Sequence, residues 1–150
     1  MIRRDFDPDT VMPDGRPPAK GMVFDPKAEG AWRGSLHGEV INGPVTVLAY
    51  GNDTPGQGPK LHVHPYDETF IIIEGRARFF VGDDVIEAGA GEAVLGPAGI
   101  PHRFENLGPG RLQTIDIHHS PRWIQTDLDW EIRPLPCEAL LAQPAFSPET

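Results

Sequence analysis

Apolar and polar positions alternate along this chain, and glycine, proline, asparagine or aspartate interrupts them every ~8–12 residues. Across residues 21–50, GMVFD, GSLHGEVI and PVTVLAY read as short strands and turns. In VTVLAY both alternate sets are apolar: Val45, Val47 and Ala49 against Thr46, Leu48 and Tyr50. That predicts a strand covered on both faces. GNDTPGQGPK (51–60) is a loop by its turn residues. LHVH (61–64) sets Leu61 and Val63 on one face and His62 and His64 on the other. ETFIIIEG (68–75), RARFFV (76–81), HRFEN (102–106) and RLQTIDIHH (111–119) are further strands, and GDD (82–84) is a turn. Only CEALLAQ (137–143) has helical character. The pattern predicts an all-β domain, a sandwich or barrel. No period of ~20–50 residues recurs, so a solenoid or propeller is not expected.

The ends differ from the middle. Residues 1–20 are polar and proline-rich and read as an irregular arm, either mobile or laid across a partner subunit. Residues 21–120 carry the β pattern. Residues 121–150 form an extension expected to pack on it, with Trp123 and Trp130 as anchors.

Composition narrows the function classes. A chain of 150 residues, 39% hydrophobic, suits one domain with its own core. The 17 glycines and 17 prolines have no period, which fits short strands and tight turns rather than collagen. The net charge is −9 and no basic stripe exists, so neither nucleic acid nor an anionic membrane is an expected partner. Cys137 is the lone cysteine, which leaves no internal disulfide and no cysteine pair for zinc. The first 20 residues lack an apolar signal core, and no run approaches the ~20 apolar residues of a membrane helix. A cytoplasmic protein is expected. A phosphate-binding P-loop and a nucleophile elbow are both absent, which argues against phosphoryl transfer on such a loop and against serine hydrolysis.

The chemistry concentrates between Gly56 and Asn106. On a strand, His62 and His64 point the same way, ~6.8 Å apart at a rise of roughly 3.4 Å per residue. Glu68 follows a proline-containing turn and would face them if its strand paired antiparallel with LHVH. His102 opens a later strand. Taken alone, His62-x-His64 is more often a surface pair than a metal site. The imidazole and carboxylate set suits Fe, Mn, Ni, Zn, Co or Cu without choosing among them.

The frame around these residues changes that weighing. Gly56 is followed after five residues by His62-x-His64, after three more by Glu68 and after six more by Gly75. Gly91 is followed after five residues by Pro97-x-Gly99, after two by His102 and after three by Asn106. These two runs resemble the first and second cupin motifs, separated by an insert of 15 residues. The resemblance is close over 56–106 and extends in strand rhythm over about 40–120. It implies a six- to eight-stranded double-sheet jelly-roll β-barrel. It also implies that His62, His64, Glu68 and His102 bind one divalent transition metal inside it. Asn106 is read as a backbone tie rather than a substrate contact.

Alternation from Glu68 places Phe70 and Ile72 on the metal side, and alternation from His102 adds Phe104. Phe79 joins them if Ala77, Phe79 and Val81 face inward. These four are expected to line a pocket, or simply to be core. Asp116 and His118 reach the interior as acid or base if Ile115 and Ile117 pack outward; the plainer reading is a solvated strand end. Tyr66 is a third candidate acid or base. His37, Arg76 and Arg78 read as surface. Thr69, Ile71 and Ile73 are too apolar for water and must meet a second subunit or a covering strand; small cupins commonly pair through such a sheet, so a homodimer is expected. A metal-dependent enzyme acting on a small oxygen-bearing metabolite is expected; the family includes dioxygenases, decarboxylases, isomerases and lyases, and an oxygenase is favoured because the ligand set admits redox-capable metals and the pocket reads as apolar. An isomerase, lyase or decarboxylase, or a non-catalytic ligand-binding or sensing role, is the alternative.

Overall fold

The computed structural model describes residues 1–129. Trp130, Cys137 and the helix expected at 137–143 lie outside them. The strands are β1 (Gly34–Leu36), β2 (Thr46–Asn52), β3 (His62–Val63), β4 (Glu68–Glu74), β5 (Arg76–Val81), β6 (Asp84–Gly89), β7 (Ala93–Gly96), β8 (His102–Asn106), β9 (Leu112–His118) and β10 (Thr126–Asp127). They form two five-stranded antiparallel sheets, ordered β1-β2-β9-β4-β7 and β10-β3-β8-β5-β6. This is the double-sheet jelly roll, with ten described strands rather than six to eight.

Two-residue periodicity builds the core between the sheets. Along β9, Leu112, Thr114, Asp116 and His118 are buried, and the residues between them are half-buried. Phe70 and Ile72 of β4 meet Ala77, Phe79 and Val81 of β5 and Phe104 of β8. The rings of Phe70, Phe79 and Phe104 lie 4.9, 5.1 and 5.6 Å apart in pairs, close enough for mutual edge and tilted contacts. Each fully buried phenylalanine contributes ~1.5–3 kcal/mol from the area it removes from water. No residue of β2 is exposed, as its two apolar faces predict. Among the described residues no helix is long and apolar enough to cross a membrane.

Turn chemistry fixes where the strands reverse. Gly75, between β4 and β5, sits at φ +83, and a Cβ there would lie 2.3 Å from the Arg111 carbonyl oxygen. Only glycine fits both demands. Asn106 is a backbone tie: its Oδ1 accepts from the Gly108 N–H at 2.6 Å and its Nδ2 donates to the Gly110 carbonyl at 2.9 Å.

Several features differ from the sequence reading. Residues 21–25 form no strand, Gly38–Ile41 is a 3-10 turn, and β6 and β7 lie in a glycine-punctuated stretch whose short apolar runs did not single out strands. β4 does not pair with the LHVH strand; it lies in the opposite sheet, between β9 and β7. Alternation tells which face a side chain occupies but not which strand lies beside it. The C-terminal extension also contributes a strand, since β10 pairs with β3 through Thr126↔Val63 and Asp127↔His62. Residues 1–22 are exposed throughout, and a single 3-10 turn at Pro8–Thr10 is their only regular element.

Candidate metal centre

His62 on β3 is paired in register with His102, the first residue of β8. His64 lies two residues beyond His62, where alternation returns it to the same face. Glu68, the first residue of β4, comes across the interior from the other sheet. Their ligand atoms all lie within 4.8 Å of one another. None of the four residues is more than 5% exposed. The sheets therefore converge on one point, with three imidazoles from one side and a carboxylate from the other.

Gly96 allows that convergence. It is paired with Glu68, and a Cβ there would sit 3.2 Å from Phe70 Cε2 and 3.4 Å from His102 Nδ1. A side chain at this position would press on the ring that must hold still. Sequence reasoning did not single it out, because a glycine inside a short strand has no distinguishing neighbour pattern.

Proton accounting tests whether a cation fits. Nδ1 of His62 faces the Lys60 carbonyl. Nδ1 of His64 faces the Ile124 carbonyl at 2.8 Å, and Nδ1 of His102 faces the Ile100 carbonyl at 3.2 Å. A carbonyl only accepts, so each Nδ1 carries the proton and each Nε2 keeps a lone pair. The Nε2 atoms of His64 and His102 both lie 3.0 Å from Glu68 Oε1. His64 Nε2 is buried and has no hydrogen-bond partner. Lone pairs aimed at a carboxylate without an intervening proton repel. A divalent cation among them removes the conflict, and the backbone carbonyls behind the rings are the outer partners that orient metal-bound histidines. The residues fit the group.

Electrostatics agree. Burial pushes the His62 imidazole down to about 4, so the ring is neutral and able to ligate at pH 7. Burial raises the Glu68 carboxyl, and N–H groups of the His102, His118 and His64 rings at its oxygens would hold it well below the usual carboxylate range; with the His64 and His102 protons on Nδ1, a cation has to supply the positive charge those two rings do not.

The other expected site residues sort clearly. His118 is 1% exposed and its Nε2 lies 3.1 Å from Glu68 Oε2, so the solvated strand end is corrected. Ile115 and Ile117 take the outer face, as that placement requires. Asp116 is buried too; burial and the nearby Glu68 charge push its carboxyl up, and its Oδ1 has no partner among the described residues. The Tyr66 hydroxyl lies 2.7 Å from His118 Nδ1. Phe70, Ile72, Phe79 and Phe104 are core residues, and the Phe70 ring lies 5.5 Å from that of His102. Arg76 and Arg78 point outward to Glu87. His37 is half-buried, with its ring 6.5 Å from Trp123.

Residues 123–128 close one side. The Trp123 ring lies 5.4 Å from His118. The Ile124 N–H donates to the Tyr66 hydroxyl at 3.0 Å while its carbonyl accepts from His64. The part played by Ile124 is silent in sequence, since any residue supplies those backbone groups.

Comparison with known proteins follows the same outline. Residues 50–118 match the family model of the cupin domain. The chain carries a cupin domain. The uncharacterized protein MJ1618 of Methanocaldococcus jannaschii is 28% identical over 87 residues, which cover 57% of this chain and 70% of that protein. A double-stranded β-helix protein of Klebsiella pneumoniae is a structural neighbour at TM-score 0.54 and 21% identity, covering 85% of this chain and 99% of that one. Oxalate decarboxylase of Bacillus subtilis matches at TM-score 0.59 and 20% identity, over 78% of this chain and 35% of its own. At these identities the structural likenesses carry the cupin fold alone. The buried cluster itself supports a cupin that binds a metal.

Proposed function

We propose that this cupin is a metal-dependent enzyme acting on a small oxygen-bearing metabolite, with His62, His64, Glu68 and His102 holding one divalent transition metal. The carrying observation is the buried convergence of three imidazoles and one carboxylate, with a backbone carbonyl behind each ring that draws its proton to Nδ1 and leaves Nε2 to ligate. A bound ion of this kind supplies Lewis acidity or, if redox-active, oxygen activation. The chain supplies the rest. Its carbonyls at 60, 100 and 124 hold the rings, and its phenylalanine core keeps water from the inner side. Asp116, His118 and Tyr66 place proton-holding groups beside the ligands, which favours turnover over simple ligand capture. Of these, Asp116 is the one whose carboxyl oxygen is not already committed.

Oxygenase chemistry is the first reading, because the ligand set admits redox-active ions and the surroundings are apolar. A decarboxylase, isomerase or lyase is the second, favoured by the buried Asp116 carboxyl, whose hold on a proton is raised by burial and by the nearby Glu68 charge. The two separate in one experiment. Protein loaded with Fe(II) or Mn(II) is offered a panel of diketones, hydroxy acids and short dicarboxylates, and dissolved oxygen and released CO2 are followed together. Mn(II) earns its place because the Bacillus subtilis oxalate decarboxylase neighbour has Mn(II) centres. Oxygen consumption supports the first reading, and CO2 release or isomerised product without oxygen uptake supports the second. Retention of a metabolite without turnover would replace both with a binding or sensing role. We further propose that the protein works in the cytosol as a homodimer joined through the outer face of the β2-β9-β4-β7 sheet. There Val47, Ile117, Thr69 and Leu95 share one row and Ala49, Ile115, Ile71 and Ala93 the next.

A further inference from the structure

We infer that Tyr66 and His118 are a positioning pair, which fixes Glu68 through one oxygen and keeps His118 itself out of the ligand set. This rests on the metal-binding reading above and deepens it. Four imidazoles, not three, surround the carboxylate. His64 and His102 approach Oε1, and His118 approaches Oε2 at 3.1 Å. Distance alone does not separate a ligand from a donor.

What stands behind each ring does. The Nδ1 atoms of His62, His64 and His102 all face carbonyls, which forces the proton onto Nδ1 and leaves Nε2 bare. Nδ1 of His118 faces a hydroxyl, and a hydroxyl can donate. The Tyr66 oxygen already accepts the Ile124 N–H at 3.0 Å, so its own hydrogen is directed to His118. His118 Nδ1 accepts that hydrogen. Nε2 therefore carries the ring proton and donates it to Glu68 Oε2.

Two consequences follow. Oε2 is occupied by a donor, so Oε1 is the oxygen left for an ion. His118 has no inward lone pair, so it cannot ligate. The fold holds each member of the chain in place. β9 sets His118 opposite Glu68 in register. The Tyr66 ring stacks on His64 with centroids 5.0 Å apart and planes 11° apart. Residues 123–128 deliver the Ile124 N–H from the far side. The relay thus ties one ligand, Glu68, to the ring stacked on another, His64. Orienting hydrogen bonds of this kind are worth about 10–100-fold in metal affinity.

Cobalt(II)-loaded protein tests the inference without any turnover. Each ligating histidine with a proton on Nδ1 gives one hyperfine-shifted, solvent-exchangeable N–H resonance. Wild-type protein is expected to show three such resonances; four would make His118 a ligand and overturn the proposal. Chelator competition for Co(II) is expected to show His118→Ala weakened about tenfold or more, and His118→Gln, whose amide N–H takes the place of Nε2–H, restored to within about threefold of wild type. Tyr66→Phe is expected to lie between them. Should His118→Ala not fold, the resonance count and the Gln and Phe variants still decide. Wild-type binding with His118→Ala and Tyr66→Phe equally tight overturns this inference and leaves the metal site standing. Wild-type protein that takes up no Co(II) overturns the metal reading, and this one with it.

Discussion

Each imidazole in the cluster is assigned its free nitrogen by the group behind it, and that makes single residues informative. Asn106 is the clearest structural case: it is 1% exposed and bonds Gly108, Gly110 and Asn52. Replacing it with alanine strands buried backbone groups, and urea titration should show a loss of about 1–3 kcal/mol. Asp116 is the clearest electrostatic case. Its folded carboxyl is held above its ordinary range, so between about pH 4 and its folded pKa the native state holds a proton that the unfolded chain has lost. Asp116 therefore contributes stability at low pH that fades as pH rises. His62 runs the other way. Its folded value is about 4 against an ordinary 6.5, so the unfolded chain binds the extra proton in that window, and acidification costs the metal-free protein stability. Asparagine at position 116 removes only the first effect. The stability of the metal-free Asp116→Asn variant should rise with pH more steeply than wild type, by roughly 1.4 kcal/mol per pH unit above pH ~4. Parallel stability–pH curves for the two proteins would contradict the placement of Asp116 in a buried, charge-opposed position.

Among the elements, the turns were more legible than the pairings. Gly75, Gly91 and Gly99 all take positive φ, so the glycine frame read around the histidines has a backbone reason. Gly75 and Gly91 still differ in their surroundings. A Cβ at Gly75 meets a carbonyl oxygen at 2.3 Å, while one at Gly91 meets nothing within 4 Å. Gly75→Ala should therefore destabilise clearly more than Gly91→Ala, whose cost is conformational and near 1 kcal/mol; thermal melts of the two variants compare them directly. The spacing of His62, His64, Glu68 and His102 located the candidate site, and alternation placed Phe70, Ile72, Phe79 and Phe104 inside. What sequence did not carry is which strand lies beside which. Glu68 reaches the histidines across the interior rather than along a shared sheet, and two-residue periodicity is identical in both cases. His118 resembled a strand end because the chain turns polar after it. It continues the inward-facing row of Leu112, Thr114 and Asp116, and Trp123 returns against its ring from a segment with no strand pattern of its own.

For the whole molecule, the two sheets act as the two halves of one clamp. His62 and His102 belong to one sheet, with His64 just past the end of β3, and Glu68 belongs to the other, so an ion bound between them cross-links the domain. Saturating metal should raise stability by RT ln(1 + [L]/Kd), about 2.7 kcal/mol at a hundredfold excess over Kd, and EDTA should reverse the gain. The outer face of the first sheet bears on assembly. Ile73 and Leu95 are 44% and 53% exposed beside the half-buried Ile71, Ile115 and Ile117. Light scattering should show a dimer for wild type and a shift towards monomer for Leu95→Lys, with metal content unchanged. The most direct test of the central claim is the metal content of tag-free protein, compared with that of a His62→Ala/His102→Ala double variant. The geometry predicts about one ion per chain in the wild type, lost in the folded double variant. Sub-stoichiometric metal that is the same in both would contradict it.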